Sequence, residues 1–84
     1  MKKRLGVVAI VVEDREKVSD EINKILSEHG KSIIGRMGIP SVEHDLSMIS
    51  IIVEGTVDEI GAMTGKLGNL KGVNLKSALT SVEV

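Results

Sequence analysis

Ala9-Ile10-Val11-Val12-Glu13 and, 41 residues further on, Ser50-Ile51-Ile52-Val53-Glu54 repeat one pattern: a β-branched apolar run closed by a glutamate, followed by a polar turn and an amphipathic stretch. Runs of this kind suit strands, and the stretches after them suit helices. Two halves, each a strand, a helix and a returning strand, predict an α+β fold of βαββαβ order, with a four-stranded antiparallel sheet and two helices on one face. With 84 residues the whole chain, 1–84, is accounted for by this unit, which leaves no room for a separate DNA-binding or catalytic module.

Working outward from the first run, Leu5 to Val12 is apolar apart from Gly6 and reads as a central strand buried on both faces. Asp14 has the side chain of an N-cap. Val18, Ile22, Ile25 and Leu26 then fall on one helical face, with Lys17, Asp20, Glu21 and Lys24 on the rest. Gly30 is expected to end this helix as a left-handed residue. Lys31 to Ile39 reads as the second strand, ended by Pro40, which cannot donate to a ladder. Ser41 to Asp45 is a hairpin connection and Leu46 to Glu54 the third strand, again apolar on both faces. Thr56-Val57-Asp58-Glu59 has the form of a capping box and starts the second helix at Val57. Val57, Ile60, Met63, Leu67 and Leu70 line its apolar face, and Gly61, Gly65 and Gly68 nearby imply close approach of this helix to the sheet or its neighbour. Gly72 opens the last strand, Val73 to Val82.

So small a domain buries only about 65% of its unfolded surface. Without cysteines it has no disulfide or thiolate metal site to add stability. Apolar strands that need cover on both sides therefore predict a homodimer or tetramer. A net charge of −1 offers no broad basic field for phosphate backbones, and with Phe, Tyr and Trp all absent no ring is present for stacking bases. Direct nucleic-acid binding is not expected. Met1-Lys2-Lys3-Arg4 before an apolar run imitates a signal peptide, but the run stops at Glu13-Asp14-Arg15-Glu16 without a cleavage site and is too short for a bilayer. The expectation is a cytoplasmic protein with no membrane segment.

Few side chains suggest chemistry. His29 stands at a helix end, where the dipole favours a cation. His44, in Glu43-His44-Asp45, is the one weak metal candidate, since neighbours on an extended segment point in alternate directions. No cofactor is expected, and neither a nucleophile elbow nor a phosphate loop of the usual spacing is present. Glu13-Asp14-Arg15 is more promising: at a strand exit and a helix start, exposed amides and Arg15 suit a small anion or an amino acid. Arg36, among apolar neighbours in the second strand, reads either as a ligand contact or as a charge that protects an edge strand.

Ile33-Ile34-Gly35-Arg36-Met37-Gly38-Ile39-Pro40 and Leu67-Gly68-Asn69-Leu70-Lys71-Gly72-Val73 give the chain a resemblance to the small stand-alone ACT-like proteins labelled regulators of the iron-only hydrogenase system. These are related in fold to the C-terminal domain of nickel-responsive repressors. The resemblance implies a ferredoxin-like, ACT-like regulatory domain, a homo-oligomer made by joining or stacking sheets, and control through a small ligand. Its usual ligand position, beside the first strand-to-helix loop at a subunit interface, maps onto Glu13, Asp14 and Arg15. The nickel relatives use several histidines and a cysteine, a set that His29 and His44 do not supply. The chain is accordingly expected to be a non-enzymatic regulatory or ligand-sensing module. The alternatives are a structural or protein-interaction subunit without ligand, and an acylphosphatase-like hydrolase. For the hydrolase Arg15 is suitable, but Asn23, Asn69 and Asn74 all lie outside the second strand.

Overall fold

The computed structural model describes residues 2–13, 15–41 and 43–84, and the side chain of every one of these except Arg15. Asp14, expected as the first helix cap, lies outside the described residues. The elements run β1 (Arg4–Glu13), α1 (Arg15–Glu28), a 3-10 turn (Gly30–Ser32), β2 (Ile33–Ser41), β3 (Leu46–Gly55), α2 (Val57–Gly68) and β4 (Val73–Glu83). The sheet is antiparallel in the order β2-β3-β1-β4, so the two apolar runs occupy its centre. This is the ferredoxin-like βαββαβ arrangement.

Pleating sends alternate residues to opposite sides. Val8, Ile10 and Val12 of β1 and Ile51 and Val53 of β3 face the helices, and they form the core with Ile22 and Leu26 of α1 and Ile60, Met63 and Leu67 of α2. Their neighbours Val7 and Ile52 point the other way and stay about half exposed. The expectation that β1 is buried on both faces is therefore corrected for the chain alone. Both helices lie on one side, and among the described residues nothing covers the other.

The second helix starts as its sequence dictates. Thr56 Oγ1 accepts from the Glu59 amide at 3.1 Å, and the Glu59 carboxylate accepts from the Thr56 amide at 2.9 Å. The bond from the Thr56 amide, and then the Thr56 side chain, hold the Glu59 carboxyl below its ordinary value. A depressed folded-state value means that this contribution is present above the carboxylate's unfolded value and is lost as pH falls through the lowered one. Thr56→Ala is expected to destabilise the protein by about 1 kcal/mol and to flatten this acid limb, as followed by thermal melts across acidic pH.

Three local expectations are overturned. Gly30 does not close α1 in the left-handed region; it begins the 3-10 turn, whose Ser32 amide donates to the His29 carbonyl at 2.9 Å. The tighter turn carries the chain directly into β2, which starts at Ile33 rather than Lys31. Pro40 does not end β2 but stands within it, opposite Ser47. An edge strand tolerates this because one side of its backbone has no ladder partner. Finally, Gly61, Gly65 and Gly68 are exposed, and a Cβ added at any of them would meet nothing within 4 Å. They lie on the solvent side of α2, so close packing does not explain them. Gly61→Ala and Gly65→Ala should each stabilise the protein by about 1 kcal/mol, the ordinary helix-propensity difference, seen as a raised urea midpoint.

Gly72 does meet a conformational demand. Its φ of +82° is in the left-handed region, a Cβ there would lie 3.0 Å from the Glu13 carbonyl oxygen, and its own carbonyl accepts from the Glu13 amide at 2.7 Å. This bond ties the end of β1 to the start of β4.

Candidate functional sites

Three surfaces follow from this arrangement, and they separate residues that are close together in the sequence analysis. The first is the helix-free side of the sheet. Register places Met37, Ser50, Ala9 and Lys76 in one row across the four strands. The flanking rows are Gly35, Ile52, Val7, Ala78 and Ile39, Met48, Val11, Asn74. Of the large apolar members, Val7, Met37, Ile39, Met48 and Ile52 are between 43% exposed (Val7) and 59% exposed (Met37), and Val11 is half-buried. The polar members sit mainly on β4, so the apolar patch occupies β2, β3 and β1.

The second surface lies beside the β1–α1 connection. Glu13, Lys17, Val18, Lys71 and Gly72 line a depression of about 390 Å³. Of the loop residues expected to hold a ligand, Glu13 is exposed at its rim, while Asp14 and the Arg15 side chain lie outside the description. Lys17 and Lys71 bring positive charge that the sequence reading did not attach to this place. They come together only because β4 returns beside β1.

The third is a cleft of about 380 Å³ between α1 and β2, and it contains Arg36. The structure does not unite Arg36 with Glu13. β2 is an edge strand, as the protective reading of Arg36 requires, yet Arg36 faces the helix side, where its Nη2 donates to Asn23 Oδ1 at 2.8 Å. Asn23, Glu16, Ser19 and Ser47 share this cleft and were missed in the sequence. Their one available signal was the spacing of Glu16, Ser19 and Asn23, which puts them on one face of a helix.

The histidines lie elsewhere. His29 Nε2 lies within hydrogen-bonding distance of Lys66 Nζ, at 3.2 Å. His44 is exposed in the turn after β2. Among the described residues no cluster of three or more His, Cys, Asp or Glu side chains is arranged to hold a metal ion, and no helix is long and apolar enough to cross a membrane.

The family model described as "TM1266-like: Iron-only hydrogenase system regulator, putative" matches residues 4–77. The chain belongs to this family. Among solved structures, the TM1266-like chain is similar to TM1266 of Thermotoga maritima, with 37% identity over 94% of this chain and 99% of that one and a TM-score of 0.90. It is also similar to the ACT domain of the GTP pyrophosphokinase of Chlorobium tepidum, at 17% identity over 90% and 99% of the two chains with a TM-score of 0.74. The C-terminal domain of MgtC from Mycobacterium tuberculosis matches at 10% identity over 92% and 87%, TM-score 0.71. At these last two identities the likeness is one of fold, and the fold is ACT-like. No curated protein matches the chain in sequence. The family is described as one of regulators of the iron-only hydrogenase system.

Proposed function

We propose that this TM1266-like protein is a non-enzymatic regulatory module that acts as a homodimer or tetramer, in the iron-only hydrogenase system for which its family is named. The observation that carries the reading is the helix-free sheet face. Five side chains, Val7, Met37, Ile39, Met48 and Ile52, are each more than two-fifths exposed there on adjoining strands. Exposed apolar patches of this kind mark interaction surfaces. The occupant we favour is a second copy of the same face. Its centre is uncharged, so two copies can meet about a two-fold axis with no charge desolvated there, and Lys76 remains toward one edge.

The regulatory input we assign to a small anion or amino acid beside Glu13, Asp14 and Arg15. Supporting this are the depression at Glu13, which Lys17 and Lys71 also line, and its position at the end of a central strand. A ligand there would bear on the Glu13–Gly72 bond that joins β1 to β4, and so on the twist of the sheet that the second copy covers.

Native mass spectrometry of protein purified from its source, with light scattering behind a sizing column, tests both parts. A dimer or tetramer carrying a small acidic or amino-acid ligand is expected. A monomer at micromolar concentration would overturn the assembly, and an oligomer without ligand would leave the interaction role and remove the sensing role.

A further inference from the structure

Glu16, Ser19 and Asn23 are spaced three and four residues apart, so they line one side of α1. Opposite them β2 turns Arg36, Gly38 and Pro40 toward the helix side, because these positions alternate with Met37 and Ile39 on the other. Under a helix such positions ordinarily carry apolar side chains that fill the space. Here a Cβ at Gly38 would meet nothing within 4 Å, and the gap remains open as a cleft of about 380 Å³. That is the lower end of the roughly 300 to 1,000 Å³ range of small-molecule sites.

The two ends of the cleft differ in charge. At one, the Arg36 guanidinium donates to the Asn23 amide oxygen at 2.8 Å. A guanidinium has five N–H donors, and Asn23 is a neutral amide, so the fork is oriented while its charge is left uncompensated by that contact. At the other end Glu16 lies two helical turns from Asn23, about 10 Å along the axis. Between them the partly buried Ile49 provides an apolar floor, with the sealed core residues Val12 and Ile22 directly beneath.

We propose that this cleft binds a small elongated amino carboxylate: its carboxylate on Arg36, its methylene body over Ile49, Gly38 and Pro40, and its ammonium toward Glu16. The order of chemistry in the ligand is the order of chemistry along the cleft. A bidentate carboxylate suits the planar fork, and the opposite charges at the two ends discriminate against simple anions and simple amines alike. The site lies on the helix side of the sheet, away from the face assigned to self-association and from the Glu13 depression. Its success or failure is therefore separable from the assembly reading.

The test is a titration of nitrogen-15-labelled protein with ε-aminocaproate, caproate and hexylamine, followed by amide chemical shifts. Saturable shifts at Gly38, Ser47 and Asn23 are expected with ε-aminocaproate, weaker ones with caproate, and none that saturate with hexylamine. Arg36→Ala should weaken ε-aminocaproate binding roughly tenfold or more, and Glu16→Gln should erase its advantage over caproate. Both positions are exposed, so the variants should keep the wild-type spectrum elsewhere. No saturable shift in the wild type, equal affinity in a folded Arg36→Ala protein, or shifts confined to the Glu13, Lys17 and Gly72 region would overturn the proposal.

Discussion

Gly6→Ala is expected to destabilise the protein by about 3 kcal/mol, the upper part of the range for forcing extra volume into a packed site. A Cβ at this position would lie 2.5 Å from the Ala78 carbonyl oxygen and 2.9 Å from the Leu79 Cα. Both are backbone atoms of β4, so no side-chain rotation relieves the clash, and the two strands must separate. The cause is an irregularity in the ladder. Arg4 pairs with Glu83 but Gly6 pairs with Leu79, so four steps on β4 oppose two on β1. The Thr80 hydroxyl, donating to the Leu5 carbonyl at 2.7 Å, takes up a backbone acceptor within the irregular stretch. For a domain of this size the loss is a large part of total stability. Urea unfolding should show the midpoint fall sharply with an unchanged slope, and a change below about 0.5 kcal/mol would mean that the strands can part cheaply.

With the sheet face as the proposed self-association surface, Ile52→Lys is expected to leave the protein monomeric at micromolar concentration where the wild type is oligomeric. Ile52 pairs with Val7 and Gly35 in the middle of the apolar patch and is half exposed in the chain alone, so the lysine leaves the core intact. In a two-fold interface, however, each copy would bury a charge that faces its own counterpart. An unpaired buried charge weakens association by several kcal/mol, about a hundredfold or more in affinity. Light scattering of wild type and variant at matched concentrations measures it. An unchanged oligomer with a folded variant would show that the sheet face is not the contact surface. Lys76→Ala on the β4 side of the same face makes a useful control, since it should leave the mass unaltered.

Much of the fold is legible because its signals are local. The capping box at Thr56 and Glu59 needs only four consecutive residues, and the bonds observed are those that the spacing demands. The helix faces through Ile22 and Leu26 and through Ile60, Met63 and Leu67 follow from periodicity and are the buried ones. The glycines were harder. Gly30, Gly61, Gly65, Gly68 and Gly72 look alike in sequence, yet only Gly72 has a left-handed φ among these, and the three of α2 face open space. A glycine permits several conformations, and its surroundings decide which one is used. Arg36 shows the same limit for the candidate sites. Its place on an edge strand was readable as one of two alternatives, but its partner Asn23 is 13 residues away and becomes a neighbour only when α1 packs over the sheet.

By itself, then, the sequence determined the order of elements, the central place of the two β-branched runs and the need to cover apolar surface. These rest on periodicity and composition, which act through neighbours three or four residues apart in helices and two apart in strands. Only the tertiary structure decided which side of each strand is covered. That choice depends on both helices packing against the same face, and it leaves Val7 and Ile52 outside while Val8 and Ile51 are sealed within. It also decided that Glu13 and Arg36 belong to different surfaces and that Glu16 belongs with Arg36. The register between β2 and β3 and the placement of α1 bring such residues together, and no spacing along the chain records that distance.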